Sequence, residues 1–173
     1  SLEHLAGDIA FNHSYLTNLI VTAGGPAREE VRIAKGKKEG HPIFDLSEAA
    51  MIQSIMLNLG GSFRCIKYLG PLMLYAPRKV KIKSIWLVSS ANSLGGWGLP
   101  AYSAAKAGIE GLVRAAADSL GRSGIRINAI VPGSTRTPLT IGEGMNFNEV
   151  RKSNPLNRFN TPEDMADAIA GLS

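Results

Sequence analysis

The sequence predicts an α/β fold organised around a parallel sheet. Residues 85–88 are a short, unbroken apolar run, typical of a strand that is covered on both faces, and residues 125–131 are predicted to form a second buried strand. Residues 101–120, between them, have the composition and length of a helix. A strand, a crossover helix and a second strand form a right-handed unit, so the two strands are parallel and end at the same edge of the sheet. In open α/β sheets this edge binds ligands.

Turn residues and polar side chains lie at the ends of these three elements. The first strand runs into Ser89 and Ser90, and the second is cut off by Pro132. The helix follows a glycine-rich loop that closes at Pro100, and Gly121 ends it in the usual way. We therefore expect hydroxyl groups at the edge of the sheet where a ligand would bind.

The N-terminal part of the chain contains one clear strand and one difficult segment. Residues 18–22 form an apolar strand that runs into small residues at 23–26. Residues 5–8 could form a short strand ending at Asp8, but residues 11–17 are too few for a crossover helix. Either residues 5–8 are not a neighbouring parallel strand, or residues are missing from this connection. Residues 27–44 are charged and have no clear period, which predicts a loop.

Two further helices complete the prediction of a single domain over residues 1–173. Asp45 and Glu48 have the spacing of a capping box that opens a helix. An apolar stripe at helical spacing then follows and is expected to face the core: Ile52, Ile55, Met56, Leu59, Phe63 and Ile66. The last helix is predicted over residues 163–172.

Composition limits the possible classes of protein. The chain has 173 residues, of which 45% are hydrophobic and 19% charged, with a net charge of +5. The basic residues have two interpretations: solvated loop charge, which is the commoner case, or attraction of phosphate-bearing ligands. A single cysteine, Cys65, favours a reducing, cytoplasmic location. Neither a membrane span nor a nucleic-acid-binding module is evident, and the three histidines lack the spacing of metal ligands.

One pair of residues suggests acid–base chemistry. Tyr102 and Lys106 are four apart at the start of the predicted helix, so their side chains are neighbours on one face. A cation beside a phenol favours the phenolate and lowers the phenol pKa toward the range useful in proton transfer. Tyr75 and Lys79 have the same spacing, but Pro77 lies between them and argues against a regular helix there.

The surroundings of Tyr102 resemble the short-chain dehydrogenase/reductase family. The segments that carry the resemblance are residues 57–63, 88–90, 102–108, 124–137 and 154–164, in the family's order and at nearly its spacing. The resemblance implies a Rossmann-type, doubly wound parallel sheet. It also leads us to expect a chain that is incomplete at both ends, since no glycine-rich pyrophosphate turn precedes residue 18.

The resemblance implies an oxidoreductase that exchanges hydride between a nicotinamide cofactor and a carbonyl or secondary alcohol. The catalytic residues it implies are Asn58, Ser90, Tyr102 and Lys106. Tyr102 would transfer the proton, Lys106 would bias its pKa, Ser90 would bind the substrate oxygen, and Asn58 would hold a water. Ser89 is the alternative serine. The strand register selects Ser90, whereas the separation from Tyr102 selects Ser89.

The cofactor is expected to be NAD or NADP, which the sequence does not distinguish. The residues implied to bind it are Ala23, Gly24, Tyr102, Lys106, Pro132, Gly133, Thr135 and Thr137. The resemblance also implies a homodimer or homotetramer, formed through small residues on the helix after Tyr102. Two alternatives stay open: a catalytically inactive binding or regulatory protein on the same fold, and an unrelated α/β interaction protein with a chance motif.

Overall fold

The computed structural model describes residues 1–36, 41–95, 98–138, 140 and 147–172. Three strands are present there: β1 (Asn18–Val21), β2 (Lys83–Val88) and β3 (Ile125–Ile130). The α-helices include α1 (Leu2–His13), α2 (Arg28–Gly36), α3 (Pro42–Asp45), α4 (Glu48–Ile55), α5 (Gly61–Leu69), α6 (Pro100–Gly121), α7 (Phe147–Ser153) and α8 (Pro162–Leu172), and two 3₁₀ helices span Gly70–Tyr75 and Ala91–Leu94. A π-helical turn, Met56–Gly60, joins α4 to α5.

The strands form a parallel sheet in the order β1-β2-β3, which confirms the predicted fold class. Val88 at the end of β2 is paired with Ile130 at the end of β3. The segments that follow these two strands therefore begin side by side at one edge of the sheet, as the sequence predicted.

The core lies between one face of the sheet and the helices α5 and α6. In the register of the sheet, Leu19, Ile85 and Ile127 are neighbours, and all three are buried. Leu69 of α5 and Ile109 of α6 belong to the same buried cluster. Each such side chain stabilises the fold by roughly 1.5–3 kcal/mol. This packing fixes α6, which carries Tyr102, relative to the ends of β2 and β3.

The predicted strand at residues 5–8 is wrong, because these residues belong to helix α1. Ser1 caps this helix by accepting a hydrogen bond from the His4 N–H. Leu2, Ala6 and Ile9 recur at helical spacing and pack against the core cluster. Residues 5–8 are therefore not a neighbouring parallel strand, which was the first of the two alternatives, and no crossover between them and β1 is needed.

The predicted loop over residues 27–44 is also wrong, since it contains α2 and the short helix α3. The first turn of α2 carries Glu29 and Glu30, which suit the positive end of a helix dipole. The helix before the π-turn starts later than predicted. Ser47, whose hydroxyl accepts a hydrogen bond from the Ala50 N–H, is the N-cap, and Asp45 ends α3 instead.

The predicted apolar stripe is only partly buried. Leu59 and Ile66 pack against the core cluster, whereas the side chains of Ile52 and Phe63 are more than half exposed. The π-turn shifts the helical phase between these positions, so a regular helical period does not predict one common face. None of the helices among the described residues has both the length and the apolar character required to cross a bilayer.

Candidate active site

A cavity of about 890 Å³ opens at the edge of the sheet where β2 and β3 end. Its lining includes Ser90 after β2, Pro132 after β3, and Tyr102 and Lys106 on α6. The structure thus brings together the phenol, the amine and the strand-end serine that the sequence singled out. This volume is in the range typical of small-molecule and cofactor sites.

Tyr102 and Lys106 lie one helical turn apart at the start of α6. Pro100 occupies the first turn, where a missing N–H costs no hydrogen bond. The Lys106 Nζ lies 5.5 Å from the centre of the Tyr102 ring and donates a hydrogen bond to the Val88 carbonyl at 2.7 Å. Lys106 is therefore held between the end of β2 and the phenol.

The electrostatic state of Lys106 follows from its burial. Its side chain is almost inaccessible, with a relative exposure of 3%. Burial disfavours the charged form and lowers the pKa of Lys106 to about 8. The ammonium form still predominates at neutral pH. A positive charge therefore lies 5.5 Å from the centre of the Tyr102 ring.

The two candidate serines point in different directions. Ser89 is buried, and its hydroxyl lies 3.0 Å from the Lys106 carbonyl and 2.9 Å from Oε1 of Glu110, both on α6. Ser90 is half-buried, and its Oγ accepts a hydrogen bond from the Asn92 N–H at 3.2 Å. Both residues border the cavity. The Ser89 hydroxyl is occupied by α6, whereas that of Ser90 is engaged only locally, at the start of the next turn.

Asn58 is fully buried in the π-turn and holds the loop after β1. Its Oδ1 accepts a hydrogen bond from the Gly25 N–H, and its Nδ2 donates to the Gly25 carbonyl, both at 2.9 Å. Nδ2 also donates to the Ser54 carbonyl at 2.7 Å. Both amide hydrogens are thus used by the backbone, and the side chain acts here as a brace. Its predicted contact with a catalytic water stays a prediction.

The loop after β1 approaches the site most closely at Gly24. A side chain at this position would collide with Oδ1 of Asn58 and would come within 3.3 Å of the Lys106 Nζ. Glycine therefore lets the backbone pass directly beside two of the predicted catalytic residues. Gly24 lines the cavity, as does Thr22, which the sequence did not select. Ala23 is exposed and is not among the lining residues.

The segment after β3 forms another wall of the cavity. Its lining residues include all four that were predicted to bind the cofactor, namely Pro132, Gly133, Thr135 and Thr137. Asn160 pairs with this segment: its N–H donates to the Ser134 carbonyl, and its carbonyl accepts from the Arg136 N–H. These hydrogen bonds join the cavity wall to the loop that precedes α8.

An ion pair anchors that loop to α8. Arg158 donates two hydrogen bonds to the Asp164 carboxylate, at 2.6 and 2.9 Å. These bonds hold the pKa of the Asp164 carboxyl well below its usual range, and the Thr161 N–H adds to the effect. Residues Met165 and Ile169 of the anchored helix complete the cavity lining.

The sequence prediction missed one buried charged residue near the site. Glu30 of α2 has a relative exposure of 1%, and its Oε1 accepts a hydrogen bond from the Tyr102 N–H at 2.9 Å. Val31, Ala34 and Lys35 of the same helix line the cavity. Acidic residues at the start of α2, followed by apolar residues three apart, were the signal that could have revealed this helix.

Comparison with known proteins identifies the family. A family profile described as enoyl-(acyl carrier protein) reductase matches residues 31–173. The short-chain dehydrogenase/reductase eriH of Hericium erinaceus is 38% identical over an alignment of 138 residues, which covers 76% of this chain and 52% of that protein. This chain belongs to the short-chain dehydrogenase/reductase family.

Other relatives of this short-chain dehydrogenase/reductase are named as enzymes. The 3-oxoacyl-[acyl-carrier-protein] reductase of Synechocystis is 36% identical over 119 residues, covering 69% of this chain and 46% of that protein. The 2,5-dichloro-2,5-cyclohexadiene-1,4-diol dehydrogenase of Sphingobium indicum is 33% identical over 141 residues, covering 77% and 54%. The chain spans about half the length of these curated relatives.

Solved structures agree with the family assignment. A short-chain dehydrogenase/reductase from Burkholderia thailandensis has a TM-score of 0.78 at 26% identity, covering 99% of this chain and 62% of that one. ElxO with NADP bound has a TM-score of 0.80 at 23% identity, covering 99% and 65%, and it supports the fold alone. The resemblance and the Rossmann-type α/β fold are confirmed, and the alternative of an unrelated α/β interaction protein with a chance motif is wrong.

Proposed function

We propose that this short-chain dehydrogenase/reductase is an NAD(P)-dependent oxidoreductase acting on a carbonyl or secondary alcohol. The observation that carries the proposal is the placement of Lys106. It is a buried amine, 5.5 Å from the centre of the Tyr102 ring, in a cavity at the ligand-binding edge of the sheet. Burying a charge is costly without a compensating role, and activation of a proton-transferring phenol is such a role.

The cavity fits a nicotinamide cofactor, which supplies or accepts the hydride when bound. Glycine at position 24, where a side chain would collide with Asn58, lets the backbone of this loop line the cavity close to Lys106. Lys106 would hold the ribose hydroxyls. The carboxamide would lie against the segment after β3, from Pro132 to Thr137. Ala23 would take part through its backbone, at the exposed side of the same loop.

Tyr102 is the proposed acid–base residue. In reduction its Oη gives a proton to the substrate oxygen as the carbonyl carbon gains hydride. In oxidation it takes the proton from the alcohol. In both directions Lys106 stabilises the phenolate form of Tyr102, which is left after reduction and which accepts the proton in oxidation. Ser90 donates a hydrogen bond to the substrate oxygen, where negative charge develops. We favour Ser90 over Ser89 because α6 already engages the Ser89 hydroxyl.

The full-length protein tests this proposal directly. Binding of NADH and NADPH is measured by quenching of protein fluorescence. Oxidation of the reduced cofactor is then followed by absorbance with a panel of ketones and aldehydes. Micromolar binding together with turnover of a carbonyl substrate is the expected result. Cofactor binding without any turnover would favour the inactive binding protein, and absence of both would refute the proposal.

An exposed apolar groove supports the proposal that the protein forms a homodimer or homotetramer. The groove lies between the π-turn region and α6, and it is lined by Met56, Leu59, Phe63, Gly108 and Leu112, among others. Apolar patches of this kind often mark interfaces between subunits. A molecular mass of one subunit by light scattering would contradict the proposal.

A cytoplasmic location stays a prediction from the single cysteine.

A further inference from the structure

Glu30 connects the two helical segments that carry the predicted catalytic residues. Its Oε1 accepts a hydrogen bond from the Tyr102 N–H at 2.9 Å, and its Oε2 accepts one from the Ser54 hydroxyl at 2.7 Å. Ser54 is fully buried on α4, and its carbonyl accepts a hydrogen bond from Asn58. A single carboxyl group therefore links the backbone of Tyr102 to the helix that leads to Asn58.

The same network also reaches the loop after β1. The Ser54 Oγ accepts a hydrogen bond from the Ala27 N–H at 3.0 Å. Asn58, one turn further along, binds Gly25 of that loop through both its N–H and its carbonyl. Glu30 thus connects this hydrogen-bond network to α6 through the Tyr102 N–H.

The contact with Tyr102 replaces a missing helix cap. Leu99, at the N-cap position of α6, has no side chain that can accept a hydrogen bond, and Pro100 has no N–H. Glu30 supplies the acceptor from another helix, at the positive end of the α6 dipole. Because this acceptor binds the residue that bears the phenol, it sets the position of that residue relative to the cavity.

Glu29 provides an internal comparison. It makes the same two kinds of contact, accepting hydrogen bonds from the N–H of Ser47 at 2.8 Å and from the Ser47 hydroxyl at 3.0 Å. These contacts lie at the start of α4, on the exposed side of α2. The two adjacent glutamates therefore differ in burial and in the helix whose first residues they contact.

We propose that Glu30 is a positioning residue that holds the first turn of α6, and with it Tyr102, in the position required for proton transfer. This inference rests on the proposed oxidoreductase function and extends it to a residue outside the predicted catalytic set. Loss of the hydrogen-bond acceptor would let the first turn of α6 move. A misplacement of about 1 Å costs on the order of 10²-fold in rate. Cofactor binding would change little, because most of its predicted contacts lie in the loop after β1 and in the segment after β3.

The test compares Glu30→Ala, Glu30→Gln and Glu29→Ala in the full-length protein with NADPH or NADH and a carbonyl substrate. Glu30→Ala should lower kcat by ~10²-fold and leave KM for the cofactor within about twofold. Glu30→Gln keeps an oxygen that accepts from the Tyr102 N–H, so it should recover most of that loss. Glu29→Ala should keep kcat within about twofold, since surface substitutions have small effects.

A second readout keeps the two proposals separate. With ¹⁵N-labelled tyrosine, the amide signal of Tyr102, assigned by its loss in Tyr102→Phe, should move upfield in Glu30→Ala and stay near its original position in Glu29→Ala. Equal kcat values for Glu30→Ala and Glu29→Ala would overturn the role of Glu30, as would equal losses in Glu30→Ala and Glu30→Gln. If the unmodified protein turns over no carbonyl, the proposed function fails. If, in addition, the Tyr102 amide signal does not move in Glu30→Ala, the hydrogen bond between Glu30 and the Tyr102 N–H is overturned as well.

Discussion

The chain contains two Tyr-x-x-x-Lys pairs whose surroundings differ completely. Tyr75 ends a 3₁₀ turn and is 71% exposed, and Lys79 lies exposed in the turn that follows Pro77. Tyr102 and Lys106 share one face of α6, and Lys106 is buried against the end of β2. Burial lowers the pKa of Lys106 to about 8. The spacing of the residues is therefore not the source of the chemistry, which comes from a regular helix and a desolvated amine.

The sharpest test of this comparison removes one hydroxyl from each pair. Tyr102→Phe should reduce turnover by ~10³-fold or more, because it removes the group that transfers the proton. Tyr75→Phe should leave turnover within about twofold, as expected for an exposed side chain. Both variants should still bind NADPH or NADH, since the other predicted contacts with the cofactor remain. Retained turnover in Tyr102→Phe would refute the acid–base role of this residue.

The adjacent serines extend the same contrast to a second hydroxyl. Ser90→Ala should lower kcat by ~10²-fold, because it removes a hydrogen-bond donor to the charge that develops on the substrate oxygen. Ser89→Ala should act mainly on stability, since its hydroxyl lies within hydrogen-bond distance of the Lys106 carbonyl and Glu110. Steady-state kinetics and thermal unfolding of both variants separate these effects. A larger loss of kcat in Ser89→Ala would transfer the catalytic role to that serine.

The third comparison concerns the two lysines and the pH dependence of stability. Between pH 8 and pH 10.5 the unfolded chain binds more protons at Lys106 than the folded chain does, so the free energy of unfolding rises with pH. This contribution amounts to about 3 kcal/mol over the window. In Lys106→Met it should be absent.

Urea unfolding at several pH values between 8 and 10.5 measures this difference. The curve for Lys79→Met should keep the pH dependence of the unmodified protein, because Lys79 is exposed. If the curve of Lys106→Met has the same slope with pH as that of Lys79→Met, then Lys106 is not desolvated in the folded protein.

The elements predicted from the sequence were those with a strong local pattern. Strand β2 contains a short apolar run, Pro132 follows β3 closely, and α6 has a proline at its start and glycine at its end. The two wrong predictions, the strand at residues 5–8 and the loop over residues 27–44, concern segments whose structure depends on contacts with distant parts of the chain. Residues 5–8 fit a strand as well as a helix, and packing of Leu2, Ala6 and Ile9 on the core decides for the helix. In α2, the many charged residues give no clear apolar stripe, and its one buried residue, Glu30, is held by hydrogen bonds from distant helices.

The sequence by itself determined the parallel α/β unit and the edge at which Ser90, Tyr102 and Lys106 meet, since strand length, helix spacing and turn residues act over short distances. Only the tertiary structure decided which serine hydroxyl turns into α6 and which of two adjacent glutamates reaches the Tyr102 N–H. Neighbouring residues of the same type share the same local preferences. Their roles differ because burial and hydrogen-bond partners come from segments far away in the chain.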